Sequence, residues 1–148
     1  MCLPVVASSA SFVWNVTVSA PQGLYHIERA PWRVGDRVAL LPAEWLAADL
    51  AMRGILPKGK LLIKRVAAAD KDAVCRRGKI ITINGIFVTQ AKQSDSHGGP
   101  LPSWQGCSTL HKGQVFLLGD TAGSYDGRYF GVTSADQIVG RVDLLLAF

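Results

Sequence analysis

The segment "KIITINGIFVTQA", Lys79 to Ala91, decides the fold class. Asn84-Gly85 stands between two runs of β-branched and apolar residues, and both residues tolerate the positive φ that a two-residue hairpin turn requires. The segment therefore reads as two antiparallel strands. Outward from it, "GLYHI" (23–27), "DRVALLP" (36–42), "KLLIKRVAA" (60–68), "QVFLLG" (114–119) and "QIVGRVDLLL" (137–146) are further apolar runs, each bounded by Gly, Pro, Asp or Ser, as strands and their turns are. Only "PAEWLAADLAMRG" (42–54) has helical spacing: Trp45, Leu46, Leu50 and Ala51 fall close to one face, Pro42 precedes it and Gly54 stops it. The expected fold is mainly β, an antiparallel sheet domain with one short helical insertion. "QSDSHGGPLPSWQG" (93–106) is expected to be an exposed loop within that domain.

The chain has 148 residues, 49% hydrophobic and 18% charged, which suits one globular domain with a substantial core. A net charge of +5 permits contact with anionic lipid or nucleic acid. Its basic residues, however, are scattered over strands and turns, with no basic helix and no aromatic-interleaved stripe, so no nucleic-acid partner is expected. No apolar run approaches the roughly 20 residues of a membrane-spanning helix. For "MCLPVVASSASFVW" (1–14) two readings stand: the remnant of a membrane anchor, or the first strand of the domain. The three cysteines, Cys2, Cys75 and Cys107, are odd in number and lack C-x-x-C or Cys/His spacing, which argues against zinc, and no metal or other cofactor is expected. Outside the cytoplasm Cys75 and Cys107, both in turn-rich surroundings, could pair and leave Cys2 single; three free thiols in a reducing compartment is the other reading.

Among nucleophile arrangements, the sequence has neither a G-x-S-x-G elbow nor H-E-x-x-H, and His26, His97 and His111 have no acidic partner at a suggestive spacing. A serine can instead be activated by a lysine whose charge is disfavoured by burial, because a neutral amine is a competent general base. Lys64, in the middle of "LLIKRVAA", meets that requirement if it points inward; the other reading has Lys64 pointing outward on a half-exposed strand, with Arg65 inward or at an edge. Ser19, in "NVTVSAPQGLY" (15–25), precedes Ala20-Pro21, whose proline restricts the backbone before it and so could fix a hydroxyl at a strand end; an ordinary strand-to-turn serine reads the same way. "LLGDTAGSYDGRYFG" (117–131) mixes turn residues with charges, which fits either plain turn chemistry or a functional loop.

Taken in order, "TVSAPQGLY", "GDRVALLP", "LLIKRVAA", "KIITINGIFV" and "GDTAGSYDGRYFG" resemble the succession of motifs in the signal peptidase I family of serine-lysine peptidases. "NVTVSAPQGLY", "AADLAMRGILPKGKLLIKRV", "LPSWQGC" and "SYDGRYFG" are similar more closely to the TraF-type conjugative transfer signal peptidases, over nearly the whole chain from Asn15 to Val142. The resemblance implies a signal-peptidase-like sheet domain over 15–148 in which Ser19 is the nucleophile and Lys64 the general base. Thr17 matches the hydroxyl that helps the Ser19 amide form the oxyanion hole. Ser124 matches the hydroxyl that orients the lysine, and Asp126 and Arg128 match the ion pair bracing the loop. The family also implies a precursor or pilin substrate, membrane association on the periplasmic side of the bacterial inner membrane, and a disulfide between Cys75 and Cys107.

The chain departs from the family pattern in places. "AAADKDAV" follows the lysine where a Leu-Pro-Gly-Asp turn is common, and the loop reads Asp126-Gly127-Arg128 rather than Asp-Ser-Arg. Two other readings remain. One is a LexA-type self-cleaving serine-lysine protein, which would bring a DNA-binding domain that the sequence lacks. The other is a catalytically inactive β binding module, against which the presence of both Ser19 and Lys64 speaks. Hydrolysis and a cyclising transfer of the trimmed subunit are not distinguished by the residues.

Overall fold

A computed structural model describes residues 12–148, and readings that concern residues 1–11 lie outside the described residues. The strands are β1 (Phe12–Asn15), β2 (Gly23–Glu28), β3 (Arg37–Leu40), β4 (Leu62–Ala68), β5 (Ala73–Arg77), β6 (Ile80–Ile83), β7 (Ile86–Gln90), β8 (Gly106–Thr109), β9 (Gln114–Leu118), β10 (Thr133–Ser134) and β11 (Ile138–Ala147). Helix α1 (Glu44–Met52) follows β3, and a single turn, α2 (Gly127–Phe130), follows β9. A seven-stranded sheet runs β1-β2-β11-β3-β4-β9-β10 and a four-stranded sheet runs β7-β6-β5-β8. The strand pairings are antiparallel throughout. The fold is thus mainly antiparallel β with one helix of more than a single turn among the described residues.

The hairpin anticipated at Asn84-Gly85 joins β6 to β7, with φ of 52° and 79° at the two turn residues and Ile83 facing Ile86. Helix α1 buries Leu46 and Leu50, which are one turn apart, against Val38, Leu40, Leu62 and Val66 of the large sheet. Trp45 does not share that face: it is 60% exposed. At about 100° per residue, a nine-residue helix resting on an i, i+4 pair turns the residue beside Leu46 toward solvent. The segments around Cys75 and Cys107 are strands, not turns. Cys75 of β5 lies opposite Cys107 of β8, and the two are joined by a disulfide across 32 residues of chain.

Val74 and Ile81 of the small sheet pack on Ala68 and Phe116 of the large one, which binds the two sheets together. Within the segment expected to be an exposed loop, Trp104 is partly buried. Its ring meets Phe116 edge-on at 6.0 Å and its Nε1 donates to the Gly127 carbonyl at 2.9 Å. Among the described residues no helix is long and apolar enough to cross a membrane.

Candidate active site

Ser19 lies in the turn between β1 and β2 rather than at a strand end. The turn is organised by Asn15, a buried residue that sequence reasoning passed over. Asn15 Oδ1 accepts from the Thr17 backbone N and Thr17 Oγ1, while its Nδ2 donates to the carbonyls of Thr17, Ala20 and Pro21. An asparagine ahead of a small-residue turn is the available signal for such a role, because its side chain substitutes for backbone partners. The Tyr25 hydroxyl holds the other end of the turn, donating to the Pro21 carbonyl at 2.6 Å. Ser19 Oγ is thereby set 3.0 Å from Thr17 Oγ1 and donates to the carbonyl of Ile63 at 3.3 Å, one residue before Lys64.

On β4 the strand alternation turns Lys64 inward, 2% exposed, opposite Val38 of β3. Arg65 faces the other way, donating to Asp120 and to the Gly35 carbonyl. Burial removes water from the Lys64 ammonium and pulls its pKa from the ordinary 10.5 to about 8. Asp126 opposes this drop, Arg128 reinforces it, and Asp120 opposes it more weakly. A useful fraction of Lys64 is therefore neutral near physiological pH.

The segment after β9 closes over these two residues. The Asp120 amide donates to the Ser19 carbonyl at 2.7 Å, and Thr121 Oγ1 donates to the Val18 carbonyl at 3.3 Å. Gly119 permits the approach, since a Cβ there would stand 2.1 Å from Ser124 Oγ and 2.7 Å from Ser19 Cβ. Arg128 and Asp126 form a buried two-point ion pair, Nε to Oδ1 and Nη2 to Oδ2, both at 3.1 Å. Further Arg128 bonds reach the carbonyls of Gly119, Thr121 and Ala122, so one guanidinium fixes the whole loop. Burial pushes the Asp126 carboxyl upward, against the pull of Lys64, Arg128 and the backbone amides of Gly119 and Arg128. Arg76, almost fully buried on the small sheet, donates from Nη1 to the Arg128 carbonyl at 2.5 Å and from Nε to the Gly78 carbonyl, tying that sheet to the loop.

The glycine of Asp126-Gly127-Arg128 has a steric reason. A Cβ at Gly127 would lie 2.7 Å from Phe116 Cε2 and 2.8 Å from the Leu117 carbonyl oxygen, so the ring that fastens the two sheets occupies the room a serine would need. The Ser124 hydroxyl is 3.1 Å from Thr121 Oγ1, its hydrogen-bond partner here, rather than bonded to Lys64. Thr17, Ser19, Lys64 and Ser124 nevertheless line one cavity of about 220 Å³, walled also by Val16, Val18, Ile55 and Tyr125. The Tyr125 hydroxyl donates to Asp49 of α1, so the helix holds one wall of the cavity. The fold thus brings together residues 17, 19, 64, 124, 126 and 128, while the Cys75–Cys107 bond lies apart on the small sheet. Among the described residues no three His, Cys, Asp or Glu side chains converge to hold a metal ion.

Residues 3–147 match the family described as signal peptidase, peptidase S26. The plasmid transfer protein TraF of Escherichia coli is 36% identical over 135 residues, 84% of this chain and 76% of that protein. The probable conjugal transfer protein TraF of Sinorhizobium fredii is 32% identical over 145 residues, 90% of this chain and 76% of that one. A crystal structure of a signal peptidase I from Enterococcus faecalis V583 superposes with a TM-score of 0.45 at 20% identity, covering 77% of this chain and 98% of that one.

Proposed function

The chain belongs to the signal peptidase S26 family, and from that premise we propose that it is a serine endopeptidase that cuts the leader from a secreted precursor, with Ser19 as nucleophile and Lys64 as general base. The observation that carries this reading is that a fully buried lysine with a pKa of about 8 opens on the same cavity as a serine hydroxyl. Neutral Lys64 Nζ takes the Ser19 proton as Oγ attacks the peptide carbonyl, the C–N bond breaks, and the same proton passes to the leaving amine. Water then releases the acyl group from Ser19, with Lys64 again accepting a proton; an amine of the trimmed subunit in place of water would give a cyclised product. The oxyanion donors in this scheme are the Ser19 amide and the Thr17 hydroxyl, which turns from Asn15 Oδ1 to the substrate oxygen, and donors of this kind contribute about 3 to 4 kcal/mol to the transition state.

Relatives named for conjugal and plasmid transfer support a precursor from that machinery, a pilin in our reading. Val16 and Val18, exposed on either side of Thr17, and the exposed Trp14–Phe148 pair support a domain that rests on a membrane surface beside its substrate. The disulfide supports placing that surface on the oxidising, periplasmic side of the bacterial inner membrane.

The test is cleavage of a pilin precursor in detergent by the wild-type chain, Ser19→Ala and Lys64→Ala, followed by product mass. Wild type is expected to cut and both folded variants to be inert, with the mass separating a hydrolysed end from a cyclised one. Cleavage by either variant at the wild-type rate would overturn the assignment.

A further inference from the structure

A second and larger cavity, of about 420 Å³, adjoins the Ser19–Lys64 cavity and shares Ile55, Gly123, Ser124 and Tyr125 with it. Its floor is aromatic: the Tyr125 and Tyr129 rings stack with centroids 5.6 Å apart and planes 4° from parallel. Its charged lining consists of Arg53, Lys92 and Asp95.

The acidic group of this set is already engaged. Asp95 Oδ1 accepts from the backbone amides of His97 and Gly99, and Oδ2 stands 3.6 Å from Arg53 Nη1. Arg53 is held in place, stacked 5.0 Å over the Tyr125 ring and bonded through Nε to Asp49. Lys92 differs: the Tyr129 hydroxyl accepts from its backbone amide, but its ammonium pairs with no carboxylate among the described residues. An apolar lining that includes Ile55 and Leu101, with an unpaired cation at the rim, complements a side chain of short apolar stem and negative tip.

We propose that this cavity is a substrate subsite for an acidic side chain, Glu or Asp, carried by the precursor along the chain from the scissile bond. The assignment rests on the peptidase reading of the adjoining cavity. In it the methylenes of the acidic residue pass along Ile55 and Leu101, and its carboxylate meets Lys92, with Arg53 beside it. Because Tyr125 follows Ser124 directly and walls both cavities, occupancy of the subsite would also set the position of the peptide over Ser19.

The test uses the full-length Ser19→Ala chain, so that ligand is not consumed. Its probes are capped Ala-rich peptides carrying one Glu, one Gln or one Lys at each position in turn, read by fluorescence anisotropy. Glu at one position is expected to bind about fivefold tighter than Gln, an advantage that fades with added salt. Lys92→Gln should erase the preference and Lys92→Glu should turn it toward the Lys peptide, with thermal unfolding confirming that each variant is folded. Equal binding of the Glu and Gln peptides at every position, or a Glu preference that survives Lys92→Glu, would overturn the subsite. Cleavage of the same peptides by the wild-type chain is scored separately. A Glu preference in binding without any Ser19-dependent cleavage would sink the peptidase mechanism and leave the binding site standing.

Discussion

Around Lys64 the seven-stranded sheet buries charge, with Lys64, Asp126 and Arg128 almost wholly out of solvent. The four-stranded sheet leaves Ile80, Ile86, Phe87 and Val88 in solvent and is stapled by Cys75–Cys107. The first arrangement carries a standing energetic penalty, since charges removed from water recover their desolvation only through good partners. The second is what a sheet needs when it is too small to cover both of its faces. The contrast teaches that one sheet gives up stability at the place where chemistry is expected, and that the other holds a covalent brace behind it. Arg76 joins the two regimes, being a buried cation on the small sheet whose bond ends on the Arg128 carbonyl of α2, in the loop that follows β9 of the large one.

Several substitutions would break or sharpen that contrast. The largest effect is expected for Arg128→Met, which leaves the Asp126 carboxylate buried without its guanidinium and should cost about 3 to 5 kcal/mol in urea unfolding. On the small sheet, Cys75→Ser with Cys107→Ser opens a loop of 32 residues and should cost about 3 to 4 kcal/mol. Hydrogen exchange should then quicken in β5 and β8 before β4; equal loss of protection in both sheets would mean that they do not differ as described.

Lys64→Met should act in the opposite direction, abolishing cleavage while raising stability at pH 7 by up to about 3 kcal/mol. The sign follows from the depressed pKa. Between about 8 and 10.5 the unfolded chain keeps the Lys64 proton that the folded chain has released, so wild-type stability climbs with pH across that window. The advantage of Lys64→Met is therefore full below pH 8 and gone above 10.5, while wild-type kcat/KM should rise with pH through an apparent pKa near 8. A flat difference in stability between the two proteins would show that Lys64 is not desolvated. The smallest effect is expected at the hairpin, where Gly85→Ala places a side chain at φ 79° and should cost about 1 kcal/mol without moving cleavage.

Much of this was legible in the chain. The Asn84-Gly85 turn, the long apolar strands and the helix between Pro42 and Gly54 are local patterns, and the structure reproduces them because neighbours in sequence decide them. Strand β10 escaped the periodic reading because it has two residues, and β5 and β8 escaped it because they carry Arg, Cys, Gly and Ser in place of apolar alternation; β1 falls partly within 1–14, where a first strand was one of two readings. Trp45 was assigned to the wrong face of α1, since four apolar residues fit the stripe on paper and the sheet contacts only two of them deeply. Asn15 was readable only as a turn residue, since its partners Thr17, Ala20 and Pro21 are local; Arg76 was not legible because it acts on Arg128, far away in sequence, and the glycine at 127, visible as a departure from the family pattern, owes its reason to space filled by Phe116 of another strand.

By itself the sequence determined that the chain forms antiparallel strands with one helical insertion, and it offered the residue types of a serine-lysine site in the family order. It could not decide whether Lys64 or Arg65 faces the core, since a period of two is blind to which face is buried. Nor could it place Ser19, Lys64 and Ser124 around one cavity, or set Cys75 opposite Cys107. Those outcomes belong to strand register and to contacts between residues far apart in the chain, which only close packing of the two sheets fixes.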